Sequence, residues 1–232
     1  MENTSNTAPQ ISILIAEDHK IVRKGLKALL ELEDDLIVIA EAENGVEAVE
    51  LTNIHNPMIV IMDIALPKLN GIDAAKQILK SMPQVKVLML TAYSDDGYLE
   101  KVLSIGVSGF LLKQCSPNSL IEAIHVIKSG KKYFGPQITQ RMKQLDESKN
   151  NHGKVSDKKL ISLSARETQV LQLIAEGRPN KLVASDLSIS IKTVEKHRQN
   201  LMNKLCIHDT AGLTRYAIAE GIIESSSKKT TI

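Results

Sequence analysis

The sequence has no tryptophan, two phenylalanines and four tyrosines among its 232 residues. Large aromatic rings cannot fill its cores, so Ile, Leu and Val must. Cysteine is nearly absent: Cys115 and Cys206 stand far apart and follow no metal-ligand spacing. They read as reduced thiols of a cytoplasmic protein. No apolar run approaches the length of a membrane span, and no membrane partner is expected. The first ten residues, MENTSNTAPQ, are polar, lack a signal-peptide core and read as a loose leader. Net charge is only +2, but it is unevenly spread. Residues 1–130 hold 11 Lys+Arg against 17 Asp+Glu, a balance of −6, and residues 131–232 hold 18 against 10, a balance of +8. An acidic half joined to a basic half implies two tasks, one of them on nucleic acid.

Residues 11–130 alternate between two patterns. Apolar runs occur at ISILIA, LIVIA, MIVIM, VKVLML and GFLL. Helix-period stretches lie between them, at 19–32, 44–54, 70–81, 95–105 and 117–128. Gly and Pro mark the joins. Strands alternating with helices predict an α/β domain with a five-stranded parallel sheet and right-handed crossovers. The segment 131–160 is polar and of mixed charge. It reads as a linker carrying a short helix near Ile138–Leu145, with 146–159 flexible. From 161 to 224 no strand pattern remains, and four helices are expected at 164–177, 179–187, 191–206 and 209–221. LSARE reads as a capping box, with Ser164 as N-cap and Glu167 three positions on.

The run IVIM is followed by a carboxylate, Asp63. The first strand likewise ends in Glu17 and Asp18, the fourth in Thr91 and the fifth in Lys113. Parallel strands place all these tips at one edge. In the doubly wound order 2-1-3-4-5, the first and third tips meet at the switch point where such sheets bind ligands. Clustered carboxylates repel and need a cation, and hard oxygen ligands suit Mg²⁺ or Mn²⁺. A carboxylate beside a cation, a lysine and a hydroxyl is equipped to attack phosphorus and become an acyl phosphate. His19 reads as a helix-start residue.

With the acid pair at 17–18, Asp63, LPKLNG at 66–71, Thr91 and Lys113, residues 11–128 resemble the receiver domain of two-component response regulators. The resemblance implies a flavodoxin-like sheet. It implies that Asp63 accepts phosphate from a sensor histidine kinase, with Thr91 and Lys113 serving the phosphoryl group. It implies that Asp18, Asp63 and the main-chain carbonyl of Ala65 hold Mg²⁺, with Glu17 acting through water. Thr91 and Phe110 would form the switch pair. Position 110 is Phe rather than the frequent Tyr, and Lys113 precedes Gln114 rather than the frequent Pro.

In the basic half, Leu182, Val183, Ala184 and Leu187 give a short apolar-faced helix, SIS a turn, and Val194, Leu201 and Leu205 the stripe of a second helix. The second helix carries basic and amide side chains on its other faces, as a helix-turn-helix requires. Residues 163–205 resemble the LuxR-type helix-turn-helix, and the whole chain is similar to response regulators of the NarL/FixJ type. By that resemblance Lys192, Glu195, Lys196 and Gln199 face the major groove. Asn180, Lys181, Thr193 and Arg198 contact phosphates. Leu182 stands where the family often has Glu, and Pro179 is unusual before NK.

The expected function is a phosphorylation-activated, DNA-binding transcription regulator that pairs as a homodimer when phosphorylated. It is not expected to be an enzyme beyond its own phosphoryl transfer and dephosphorylation. Two alternatives are an aspartyl-phosphate phosphatase and a DNA-binding regulator with a phosphate-independent receiver. The phosphatase is disfavoured by Ala65, because the haloacid-dehalogenase-type group carries a second Asp two residues after its nucleophile. The intact acid set disfavours the other.

Overall fold

The structure, a computed structural model, describes residues 10–92, 96–151 and 163–223. The expected leader, apart from Gln10, and residues 152–159 of the expected flexible segment lie outside them. The chain divides into two compact units, one built on a sheet and one wholly helical.

The sheet strands are β1 (Ile11–Ala16), β2 (Leu36–Ala42), β3 (Ile59–Met62), β4 (Lys86–Thr91), β5 (Gly109–Leu112) and β6 (Tyr133–Phe134). They pair in parallel in the order β2-β1-β3-β4-β5-β6. The crossovers carry α1 (Lys20–Leu30), α2 (Gly45–His55), α3 (Gly71–Ser81), α4 (Asp96–Ser104) and α5 (Pro117–Lys128). All four residues of β3 and of β5 are buried, which is why they read as unbroken apolar runs. β2 lies at one edge, and there Ile37 is exposed. With no tryptophan available, Phe110 is the bulkiest fully buried side chain among the described residues. The helices start where local chemistry allows: Asn44 caps α2 by accepting from Glu47 N, and Ser116 caps α5 ahead of Pro117.

Two expectations need correction. The sheet has six strands, not five. The sixth is only two residues long, too short for any alternation to show. The short helix expected near 138–145 is α6 (Pro136–Asn151), so 146–151 is helical rather than loose. Its polar composition hid it, yet Gln, Arg, Met, Lys and Glu are all good helix formers.

The second unit holds α7 (Ala165–Ala175), α8 (Asn180–Asp186), α9 (Ile191–Leu205) and α10 (Thr210–Ala219). Its core joins Val170, Leu171, Ile174, Val183, Val194, Leu201 and Leu213. The capping box forms as read: Glu167 N donates to Ser164 Oγ at 3.3 Å and Ser164 N donates to Glu167 Oε2 at 2.8 Å. Gly177, at φ +83°, ends the first helix with Arg178 N donating to Leu173 O at 2.9 Å.

A pair of glycines tests the packing. At Gly25 in α1, a Cβ would meet nothing within 4 Å, so Gly25→Ala should raise stability by up to about 1 kcal/mol. At Gly109 a Cβ would lie 2.7 Å from Ile127 Cδ1 and 2.8 Å from both Leu88 Cδ1 and Tyr133 O. Gly109→Ala should therefore cost about 1–3 kcal/mol in urea denaturation. A Gly109→Ala protein as stable as the parent would contradict the packing of β5.

Candidate functional site

The sheet carries the predicted side chains to one edge. Glu17 and Asp18 follow β1, Asp63 follows β3, Thr91 closes β4 and Lys113 follows β5. β1 and β3 are direct neighbours, and the ladder runs to the acids themselves. Asp63 N donates to Ala16 O at 3.0 Å, and Glu17 N donates to Ala42 O at 3.0 Å. Lys113 N donates to Thr91 O at 2.7 Å.

At the centre lies an ammonium between two carboxylates. Lys113 Nζ is 2.6 Å from Glu17 Oε2 and 2.8 Å from Asp63 Oδ2. Both carboxylates are buried. Burial pushes the Asp63 carboxyl up to about 6; Lys113 pulls it down and Glu17 pushes it up again. Burial pulls the Lys113 ammonium down, but Asp63 and Glu17 outweigh it and hold it above the ordinary lysine value. Three carboxylates thus crowd an edge where Lys113 alone bridges two of them.

Asp18 is differently placed. Its Oδ1 is buried and accepts no hydrogen bond, although His19 Nδ1 lies 2.7 Å away. Glu17, Asp18 and His19 form a compact set of possible metal ligands, their ligand atoms within 4.8 Å of one another. Asp63 is not part of that set. His19 is the N-cap of α1, without a side-chain cap bond, as its sequence position suggested. Ala65 lies half-buried in the loop after β3. Thr91 and Phe110 are both buried, on adjacent strands β4 and β5. The peptide bond between Lys113 and Gln114 is trans.

The loop from Ile64 to Asn70 returns tightly to the site. Gly71 N donates to Ile64 O at 2.8 Å. A Cβ at Gly71 would sit 1.8 Å from the Asp63 carbonyl oxygen, so only glycine lets α3 begin so close to the acid.

In the helical unit, α8, a turn through Ser188 at φ +52° and α9 make the expected helix-turn-helix. Ser190 caps α9, accepting from Thr193 N at 3.1 Å. Val194, Leu201 and Leu205 are buried. Lys192, Glu195, Lys196 and Gln199 are exposed and recur at one-turn spacing on one face. Lys181 is also exposed, while Thr193 is half-buried with its hydroxyl 2.8 Å from Ser190 Oγ. Arg198 does more than the sequence suggested. It donates to Asn180 Oδ1 at 3.2 Å and to Thr210 Oγ1 at 2.7 Å, tying α8, α9 and α10 together.

Two stretches match known families. Residues 13–125 match the response regulator receiver domain, and residues 161–217 match the bacterial regulatory proteins of the luxR family. The transcriptional regulatory protein DegU of Brevibacillus brevis is 34% identical over 226 residues, covering 93% of this chain and 96% of that protein. The transcriptional regulatory protein LnrK of Bacillus subtilis (strain 168) is 37% identical over 216 residues, covering 91% and 98%. Among solved structures, the two-component response regulator RcsB in complex with DNA is similar at TM-score 0.56 and 27% identity, covering 89% of this chain and 97% of that one.

The raised Asp63 carboxyl makes stability depend on pH. An acid whose folded pKa exceeds its unfolded value, here about 6 against 3.8, holds its proton more tightly when folded. Below about pH 4 both states are protonated. As pH climbs from about 4 to 6, the unfolded state ionises while the folded state still holds its proton, and stability falls by up to about 3 kcal/mol. In EDTA, wild type should therefore lose stability relative to Asp63→Asn across that window, with the gap levelling off above about pH 7. Denaturation curves that stay parallel from pH 4 to 7 would exclude the burial described here.

Proposed function

The chain belongs to the two-component response regulators of the NarL/FixJ type, and on that footing we propose that Asp63 is the phosphoacceptor through which a sensor histidine kinase controls DNA binding by residues 161–224. The chain is a DNA-binding transcription regulator with its receiver in residues 11–130. The observation that supports this reading best is the meeting of Glu17, Asp63 and Lys113, from three separate strand ends, at one edge. Its phosphoryl chemistry is its own transfer and dephosphorylation rather than turnover of an outside substrate.

An Asp63 carboxylate oxygen attacks phosphorus of a kinase phosphohistidine. The new O–P bond makes an acyl phosphate, the P–N bond breaks, and imidazole leaves. Lys113, already hydrogen-bonded to Asp63 Oδ2, moves its donors toward the phosphoryl oxygens. The Thr91 hydroxyl donates to another phosphoryl oxygen, and Thr91 with Phe110 relays the change as the switch pair.

The donor set fits a hard divalent cation. Asp18 Oδ1 is buried without a hydrogen bond, and Glu17, Asp18 and Asp63 exceed the positive charge that Lys113 offers. Asp18, Asp63 and the Ala65 main-chain carbonyl would hold Mg²⁺ or Mn²⁺, with Glu17 acting through water. Once bound, the ion supplies positive charge against the phosphoryl oxygens.

On DNA, Lys192, Glu195, Lys196 and Gln199 face the major groove, and Asn180, Lys181, Thr193 and Arg198 contact phosphates. One such small unit makes few contacts. A phosphorylation-dependent homodimer on two half-sites raises affinity through effective concentration. Among the described residues no helix is long and apolar enough to cross a membrane, and the reading places the protein in the cytoplasm.

Two measurements test the assignment. With acetyl phosphate and Mg²⁺, wild type should gain one labile phosphoryl group by intact mass and Asp63→Asn should gain none, because an amide is no nucleophile. Labelling of Asp63→Asn to the same extent would move the acceptor elsewhere. On DNA, Gln199→Ala should cost about 1–3 kcal/mol and relax preference at one base position. Lys181→Ala should weaken all sequences alike and flatten the salt dependence by about one unit of slope. Arg198→Ala should lose binding and also destabilise the helical unit by about 1 kcal/mol, since it gives up two hydrogen bonds. If Gln199→Ala weakens every sequence equally, it does not read bases.

A further inference from the structure

Among the described residues Arg23, on the first turn of α1, is the single buried lysine or arginine, only 4% exposed. Taking a guanidinium out of water is costly unless its donors find acceptors. Two acceptors come from the end of β2 and just beyond it. Nη2 donates to Glu43 Oε1, and Nε lies 3.4 Å from Glu41 Oε2 without a hydrogen bond. Those contacts alone would describe a residue that fastens α1 to β2.

The third contact is of another kind. Arg23 Nη1 donates to the main-chain carbonyl of Glu17 at 2.6 Å. That carbonyl belongs to the peptide joining Glu17 to Asp18. On the near side of the same residue, Glu17 N donates to Ala42 O at 3.0 Å. The backbone of the acid pair is thus held from both directions. A peptide unit is planar, so fixing its carbonyl also fixes the direction of the following N–Cα bond. This constrains where the Asp18 side chain leaves the chain. The Asp18 carboxylate itself has the adjacent His19 Nδ1 2.7 Å from its buried Oδ1, which accepts no hydrogen bond.

We infer that Arg23 is a positioning residue for the cation site: through the Glu17 carbonyl it orients the Glu17–Asp18 pair and so sets the affinity for Mg²⁺. The inference rests on the assignment of that acid pair to a divalent cation. Three roles for Arg23 predict three different signs. As a nearby positive charge it repels the ion, so removing it would tighten binding. As packing alone, its loss would lower stability and leave affinity unchanged. As a positioning residue, its loss weakens binding. Outer-shell partners of metal ligands typically account for about 10–100-fold in affinity.

The test is calorimetric titration of Mg²⁺ into full-length, EDTA-stripped and dialysed protein, without any phosphoryl donor. Wild type, Arg23→Met and Arg23→Lys are compared at a temperature where circular dichroism shows each to be folded. Arg23→Lys keeps the charge but cannot span the Glu17 carbonyl and Glu43 together, so it serves even if Arg23→Met does not fold. The expected result is weaker binding in both variants, by about tenfold or more. Equal or tighter Mg²⁺ binding in a folded variant overturns the positioning role. A wild type that takes up no Mg²⁺ overturns the acid-pair assignment itself, and this outcome is distinct from a wild type that binds beside variants that bind equally well.

Discussion

Charge balance around the Lys113 ammonium governs the carboxyl edge of the sheet. Its Nζ sits between Glu17 and Asp63, and both acids are buried. One ammonium against two carboxylates leaves a deficit, and Asp18 adds to it. Burial raises the Asp63 carboxyl, and Glu17 adds to the rise against the pull of Lys113. Such an edge is poised rather than settled. A cation relieves it, and so does protonation. On the proposed reading, a phosphoryl group on Asp63 would bring more negative charge and offer Lys113 new acceptors. The receiver therefore stores its sensitivity in an electrostatic imbalance, and the close-packed sheet beneath prevents the acids from moving apart.

Main-chain contacts hold this imbalance in place. The parallel ladder continues to Asp63 N, Glu17 N and Lys113 N, so each functional residue begins from a fixed backbone. Gly71 allows α3 to approach the Asp63 carbonyl to a distance no Cβ would tolerate. Lys68 accepts φ +65° in the same loop, a conformation that costs a lysine free energy and persists only where its surroundings hold it. Arg23 donates to the main-chain carbonyl of Glu17. If Asp63 is the phosphoacceptor proposed above, preorganisation of this kind would leave little reorganisation to accompany phosphoryl transfer.

The strand tips were legible in the sequence because a buried parallel strand ends abruptly. An unbroken apolar run followed by Asp63 leaves few other places for the acid to go, and the same holds at Glu17 and Lys113. The spacing of those runs also made the helices between them readable. Arg23 was not legible: an arginine one turn into a helix ordinarily faces water, and only the fold brings the Glu17 carbonyl and Glu43 within its reach. Nor was the direct Lys113–Glu17 contact, which depends on the order of strands rather than on any local pattern. β6 was lost because two residues carry no period, and the end of α6, from 146 to 151, because a polar helix resembles a linker in composition. For Arg23 and the Lys113–Glu17 contact the missing information is tertiary, and β6 lies below the length at which periodicity exists.

The helical unit solves a different problem, that of holding a reading surface rigid with a small core. Its core relies on aliphatic side chains, and polar ties supplement it. Lys204 reaches Glu167 Oε2 at 2.7 Å, so the capping box of α7 is fastened to the end of α9. Arg198 joins α9 to Asn180 and Thr210. The residues assigned to phosphates, Asn180 and Arg198, are thus partners of one another before any DNA is bound. A guanidinium already committed to two acceptors still has donors to offer, and its orientation costs little further entropy to fix. Lys181, by contrast, is exposed and, on the proposed reading, would be ordered only on binding. On the proposed reading, the phosphate-contacting set therefore divides into a part already bonded within the unit, Asn180, Thr193 and Arg198, and an exposed part, Lys181. On that reading, register on DNA would come from the first, and salt sensitivity in part from the second.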